Sequence, residues 1–342
     1  MGYWKVANLL ISLVILVWLN GWWFGSFDTA ALTPHFNPTS VPLDHPLIQS
    51  QSVTDTIHFA VIGDYGSDTD NELHVANLVK GWEPDFIITV GDNNYPNGAE
   101  ATIDQNIGQY YRDYIYPYLG TYRAANVSNP LLSTQEFTSL IFLPVIYGFS
   151  PSNRFFPTLG NHDWITSGAK PYLNYFILPG KERYYDFVQG PVHFFAIDSD
   201  SAEPDGITSN STQAHWLHTG LTASTSCWNL VYFHHPPYSS GLHGSNSTMQ
   251  WPFQSWGADA VLTGHDHTYE RVVINHFPYF VNGLGGYSRY SFSSTPVSGS
   301  QVRYNAKYGA MLVTATSTTI TYQFINVDGQ TIDKYSQTGG CG

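Results

Sequence analysis

Five apolar runs in this chain end on residues that bind metals, and that repeated ending constrains the fold more than any other feature. IHFAVI leads into Gly63-Asp64-Tyr65-Gly66, FIITV into Gly91-Asp92-Asn93-Asn94-Tyr95, and FFPTL into Gly160-Asn161-His162-Asp163. NLVYF leads into His234, and DAVLT into Gly264-His265-Asp266-His267. Apolar runs this short, closed by turn residues, read as buried strands. In an open α/β sheet, ligands gather beyond the carboxyl ends of strands, where the loops converge. Five strands that end on ligand-type residues therefore predict one site at a common sheet edge.

The segments between them complete a layered α/β pattern. Strands are expected at Ile57–Ile62, Asp85–Val90, Phe155–Leu159, Val192–Ile197, Trp228–Phe233, Ala258–Thr263 and Tyr279–Gly283, with two more between Ala310 and Ile325. Helices are expected at Asn71–Lys80, Ala101–Tyr116 and Thr212–Leu221. Gly120 to Pro151 reads as an irregular insertion. Gly285–Ala306, rich in Gly, Ser and Tyr, reads as a long surface loop.

Hard oxygen ligands, a phenol and imidazoles in one place describe two adjacent metal ions. Carboxylate and phenolate suit a hard trivalent ion, whereas imidazole and amide suit a borderline divalent one. Two ions a few ångströms apart are the usual apparatus for in-line displacement at phosphorus. Any one of these motifs is weak alone, because Gly-Asp and Gly-Asn are common turn dipeptides. The specificity lies in the set and its order.

The set resembles that of the purple acid phosphatase family, within the binuclear metallophosphoesterases. The discriminating residue is Tyr95, three positions after Asp92, where the purple enzymes carry a ligating tyrosine. The resemblance implies an α/β (α+β four-layer) fold, with two central mixed β-sheets packed as a sandwich flanked by helices. It also implies that Asp64, Tyr95 and His267 hold Fe3+ and that Asp92 bridges. Asn161, His234 and His265 would hold a divalent ion, Fe2+, Zn2+ or Mn2+. The activity implied is acid hydrolysis of phosphate monoesters by a metal-bound hydroxide. Phosphodiester or nucleotide hydrolysis and a non-catalytic, anchored phosphate-binding role are the alternatives.

His162 and His243 are the candidate catalytic residues beyond the metal ligands. Histidine is the side chain that exchanges protons near neutral pH, so either can stabilise phosphoryl oxygens or protonate the leaving alcohol. His235 is ambiguous. Asp163 and Asp266 are expected to orient neighbouring groups, as carboxylates behind metal ligands do. Tyr269-Glu270-Arg271 extends the last motif and reads as structural support.

Composition narrows the partners. The chain has 13 Lys+Arg against 26 Asp+Glu and a net charge of −13, with no basic block. Nucleic acid is therefore not expected as a stable partner. A small phosphorylated substrate is, because local metal charge overrides the global field.

Residues 1–31 read as a signal peptide or an N-terminal membrane anchor. Lys5 precedes an apolar stretch, and the 22 residues from Val6 to Phe27 would span ~33 Å as a helix. Membrane attachment through residues 6–27 belongs to the second alternative. Both place the catalytic part outside the cytoplasm. Prolines 34, 38, 42 and 46 mark 32–56 as a linker or strap, followed by one catalytic domain at 57–335 and a tail at 336–342. Cys227 and Cys341 are either bridged or two separate thiols. Sequons stand at Asn126, Asn210 and Asn246.

Overall fold

The computed structural model describes residues 56–122 and 152–341. The targeting segment, the proline-rich stretch up to residue 55, most of the Gly120–Pro151 insertion and the sequon at Asn126 lie outside the described residues.

In chain order the strands are β1 (Ile57–Ile62), β2 (Phe86–Thr89), β3 (Phe155–Pro157), β4 (Tyr185–Gln189), β5 (Val192–Ala196), β6 (Trp228–Tyr232) and β7 (Ala260–Thr263). They continue as β8 (Tyr269–Ile274), β9 (Phe277–Asn282), β10 (Ser300–Tyr304), β11 (Gly309–Ala315), β12 (Thr319–Asn326) and β13 (Thr331–Thr338). Two mixed sheets result, ordered β13-β12-β11-β1-β2-β3 and β10-β8-β9-β7-β6-β5-β4. β1, β2 and β3 run parallel, as do β5, β6, β7 and β9. Antiparallel strands extend both sheets outward.

The parallel strands are apolar almost throughout because both of their faces are covered. β2 and β7 are buried at every position. Between the sheets, Phe59 of β1 meets Phe194 of β5 edge-on at 5.0 Å, and Phe156 of β3 stacks on Phe187 of β4 at 3.9 Å. Helix α1 (Asp70–Gly81) lays Val75, Ala76 and Val79 on the core; Thr69 caps it by accepting from Glu72 N.

Three departures from the expected elements have physical causes. The helix expected at Ala101–Tyr116 stops at Tyr111 and contains a π-turn. It runs as α2 (Glu100–Ile103), a wide turn at Asp104–Gly108, and α3 (Gln109–Tyr111). Pro117 disfavours helix at the residue before it. The wide turn delivers Asn106, whose Nδ2 donates to the carbonyls of Gly66 and Tyr95 and to Asn94 Oδ1. Secondly, Gly285–Ala306 is not all loop, since β10 pairs with β8. Thirdly, β4, β8 and β13 were not expected. β8 hides in the Tyr269-Glu270-Arg271 extension, and β13 alternates polar with half-buried residues on a sheet edge, running to Thr338.

Cys227 and Cys341 are bridged, 114 residues apart, which ties the chain end to the start of β6. Closing a loop this long stabilises a fold by about 2–5 kcal/mol. Cys341→Ser is therefore expected to lower the free energy of unfolding by that amount in urea titrations, with a steeper transition because the released unfolded chain is less compact.

Candidate metal centre

The two sheets present their parallel carboxyl ends at the same rim. Within four residues of its end, β1 leads to Asp64, β2 to Asp92 and β3 to Asn161, while β6 of the other sheet leads to His234 and β7 to His265. Direct bonds lock the two rims together. Asn282 Nδ2 donates to the Val61 carbonyl at 2.8 Å, and His265 N donates to Asp64 Oδ2 at 2.9 Å. Asp64, Asp92 and His265 all take left-handed backbone conformations, with φ of 57°, 51° and 70°. A non-glycine residue there costs on the order of 1–2 kcal/mol, so the surrounding fold enforces these sharp exits.

The motif glycines allow the strands to crowd. A Cβ on Gly160 would lie 2.2 Å from Asp92 Oδ1, and one on Gly91, whose φ is +88°, would lie 2.6 Å from His234 Nδ1.

All seven side chains named as metal ligands from the sequence come together in two overlapping groups that share Asp92. In the first, Tyr95 Oη donates to Asp92 Oδ2 at 2.9 Å and to Asp64 Oδ1 at 3.3 Å, and it lies 3.1 Å from His267 Nε2. His267 Nε2 is 3.3 Å from Asp64 Oδ1. Ligand atoms of Asp64, Asp92 and His267 all fall within 4.8 Å of one another. In the second, His234 Nε2 lies 3.1 Å from Asn161 Oδ1, 3.2 Å from His265 Nδ1 and 3.4 Å from Asp92 Oδ2.

The tautomer of His234 tests whether these residues fit a cation. Its Nδ1 sits 2.8 Å from the Val90 carbonyl, a group that only accepts, so Nδ1 carries the hydrogen. In the neutral ring Nε2 is then a lone pair, facing an amide oxygen, a carboxylate and a third ring nitrogen. His234 Nε2, the Asn161 amide oxygen and the Asp92 carboxylate are all acceptors, and acceptors that converge in this way suit a positive ion. Buried, oxygen-rich and flanked by imidazole, the donor set fits the pair of metals.

Without a metal, a proton must supply that charge. Burial pushes His234 down, but Asp92, by charge and hydrogen bond, with Asp64 and the Val90 carbonyl, carries it up to about 10. Burial pushes Asp92 up, but His234 and His162 outweigh it and hold the carboxyl below its usual value. His265 is driven far down by burial and by its neighbours His234, His235 and His243. The Tyr95 phenol is raised by burial, Asp92 and Asp64, so forming a phenolate requires a cation beside it.

The folded value of His234 lies above its unfolded value of about 6.5. Its pairing therefore stabilises the metal-free protein fully below pH ~6.5, and that contribution is lost as pH rises through about 10. Asp92, depressed, contributes above its unfolded value of about 3.9 and loses its contribution as pH falls below it. Melting temperatures are expected to fall between pH 7 and 10 in metal-free protein and to stay level over that range in loaded protein.

The two predicted orienting carboxylates stand behind the site. Asp163 accepts from Asn93 N, Asn93 Nδ2 and Gly160 N, which locks the second motif to the third. Burial and the charge of Asp92 raise it to about 6. Asp266 accepts from Ser239 Oγ, His243 N and Gly244 N, which fixes the loop that carries His243. Glu270 holds the same loop through Ser240, and Arg271 forks onto Asp333 of β13 at 2.7 and 3.1 Å.

His162 and His243 approach the cluster from opposite sides of the chain. His162 N donates to Asp92 Oδ1 at 2.9 Å; its Nδ1 lies 2.6 Å from the Pro96 carbonyl, and its Nε2 lies 4.0 Å from Asp92 Oδ2. His243 is exposed, with its ring stacked 4.3 Å from that of His265. His235 also packs on the cluster, its ring 4.4 Å from that of His265, while its Nδ1 lies 2.9 Å from Ser199 Oγ. Burial and the charge of His234 push it down to about 3.

The sequence reading missed the covering loop. Tyr287 stacks on Tyr95 at 3.6 Å, Tyr290 stacks on His267 at 4.0 Å, and Ser288 Oγ meets His267 Nδ1. Tyr287 N donates to the Asp64 carbonyl, which pins the loop to the site. The available signal was position: these residues follow β9, another parallel strand ending at the same rim.

A two-sheet sandwich with a metal-binding cluster at its strand ends defines a metallophosphoesterase-type protein. The calcineurin-like phosphoesterase family matches residues 57–269, and the chain belongs to that family. It is similar to purple acid phosphatase 3 of Arabidopsis thaliana, 22% identical over 330 residues, covering 85% of this chain and 80% of the relative. Tartrate-resistant acid phosphatase type 5 of Oryctolagus cuniculus is 23% identical over 264 residues, 70% and 75% of the two chains.

Among solved structures, the purple acid phosphatase PPD1 from yellow lupin seeds superposes with a TM-score of 0.59 at 17% identity, over 83% of this chain and 54% of that one. GAP50, the anchor in the inner membrane complex of Plasmodium, gives 0.58 at 18% identity over 83% and 89%. Both likenesses show the shared fold.

Proposed function

We propose that the protein is an acid phosphatase that hydrolyses small phosphate monoesters at a binuclear Fe3+ and divalent-metal centre. The observation that supports it most is Asp92, whose carboxylate faces the Tyr95 phenol on one side and His234 on the other. When bound, the metals supply Lewis acidity toward phosphoryl oxygens and lower the pKa of water, from about 15.7 to about 7 on zinc.

The chain's own residues do the rest. Asp163 and the motif glycines hold Asp92 and Asn161 in place. His162, with the hydrogen on Nδ1 directed to the Pro96 carbonyl, keeps Nε2 toward the cluster, where phosphoryl oxygens would lie. His243, held through its backbone by Asp266 and exposed beside His265, would give the departing alcohol oxygen its proton.

Localisation outside the cytoplasm follows as part of the same reading, supported by the disulfide, which persists in oxidising compartments. Among the described residues, no helix is long and apolar enough to cross a membrane.

The test uses metal-reconstituted full-length chain with p-nitrophenyl phosphate and bis(p-nitrophenyl) phosphate across pH 4–9. The monoester is expected to be the better substrate, with its optimum on the acid side. His162→Ala should lower kcat by ~10²–10³, the usual cost of losing one group that stabilises transition-state charge. Preference for the diester would favour the phosphodiesterase reading, and an alkaline optimum would contradict the acid phosphatase. No turnover of either ester would leave only phosphate binding.

A further inference from the structure

The mouth of the site has a chemistry of its own, separate from that of the phosphate-binding end. Of the eight large apolar side chains exposed among the described residues, three lie on the segments that carry the candidate site residues. Leu242, 66% exposed, precedes His243; Ile165, 58% exposed, ends the short helix Asn161–Ile165; Tyr287, 37% exposed, stacks on Tyr95. The other five, Leu73, Tyr116, Leu119, Ile177 and Val188, are scattered over other elements, and single exposed apolar side chains need no special account; what marks Tyr287 is its stacking on a candidate ligand.

Among the described residues, no lysine or arginine forms an ion pair with Asp64, Asp92 or any of the site histidines. Arg289, on the loop that carries Tyr287, is turned away, donating to the carbonyls of Asn305 and Ala306 and lying over the Tyr308 ring. Among the described residues, the organic half of a substrate would therefore meet the flat Tyr287 ring, with no ion-paired cation of the site beside it.

The Tyr287 ring is held in position from both of its links. Its backbone N–H is fixed to the Asp64 carbonyl, and its ring lies parallel to Tyr95 within 11° at 3.6 Å. The His162 ring centre is 6.4 Å away. A rigid aromatic plane offers contact area to a planar group at little entropic cost.

We propose that Tyr287 and Leu242 are specificity-determining residues that select phosphate monoesters with an aromatic leaving group over those with a sugar or polyol one. The proposal rests on the hydrolytic reading for its site, but its test does not require turnover. The metal-loaded chain is titrated calorimetrically with phenylphosphonate and methylphosphonate, non-hydrolysable probes that differ only in the organic group.

Wild-type protein should bind the phenyl compound at least about tenfold more tightly, as expected for ~50 Å² of apolar surface removed from water. Tyr287→Ala should bring that ratio to within about threefold while methylphosphonate affinity holds, and Tyr287→Phe should restore it. Leu242→Ser, which leaves Tyr95 untouched, should lower the ratio in part. A wild-type ratio near one, a ratio that survives both truncations, or failure to bind either phosphonate overturns the proposal. Normal phosphonate discrimination with no hydrolysis of any ester would instead defeat the catalytic reading and leave the recognition surface standing.

Discussion

Asp92→Ala is expected to abolish turnover, lowering kcat by ~10³ or more without unfolding the protein. The estimate follows from losing the group that both ion positions share, where even one lost stabilising contact in a reaction centre costs ~10²–10³. The fold should survive because Asp92 lies at a loop after β2, and the strand ladders do not pass through its side chain. The substitution also removes the partner that raises His234. In metal-free Asp92→Ala, His234 loses the largest of its upward influences and its alkaline titration moves toward lower pH. The decline in melting temperature between pH 7 and 10 should then flatten relative to metal-free wild type. Turnover within tenfold of wild type would remove Asp92 from the mechanism.

Gly160→Ala should be nearly as damaging to activity, although it adds only a methyl group. The backbone at Gly160 is extended, at φ −116° and ψ 175°, so alanine fits the dihedrals. Space is the obstacle. The new Cβ would lie 2.2 Å from Asp92 Oδ1 and 2.3 Å from Asp92 N, and the nearer backbone is already fixed. Either Asp92 rotates or the Asn161 loop retreats, and a displacement of about 1 Å at a reacting centre can cost ~10² in rate. Gly81→Ala is the control. It lies at the end of α1 with nothing within 4 Å of the added carbon, so activity and stability should hold. Equal activity in Gly160→Ala and wild type would mean that the carboxylate position is unimportant.

How much of this could be read from the sequence depends on where each residue sits in the chain. The candidate ligands were legible because each lies within a few residues of a strand end, so an apolar run and its motif stand together in one window. Asp64, Asp92, Asn161, His234 and His265 all share that arrangement. Tyr287, Ser288 and Tyr290 were not legible. They reach the site by a tertiary contact, Tyr287 N to the Asp64 carbonyl, and their Gly/Ser/Tyr surroundings resemble any surface loop. Asn106 escaped for another reason, since a π-turn rotates it onto Tyr95 and helical periodicity carries no sign of such a turn. β13 was hidden by its edge position, where half the side chains are polar and hydrophobic periodicity fades.

Asp163 and Asp266 were read from the sequence as orienting groups, but the partners they hold were not legible there. Asp163 ties the Asn93 backbone to Gly160, and Asp266 fixes a loop more than twenty residues earlier in the chain. Such couplings join motifs that are separate in sequence. Only the packing of two sheets along one rim brings them together.

The measurement closest to the central claim is metal stoichiometry, by elemental analysis of purified full-length protein loaded with iron and zinc and then desalted. Two ions per chain are predicted, with a visible absorption band that disappears in Tyr95→Phe. Asp92→Ala should retain at most one. A wild-type chain that holds one ion or none after loading, or two ions that persist undiminished without Asp92, would contradict a shared binuclear centre.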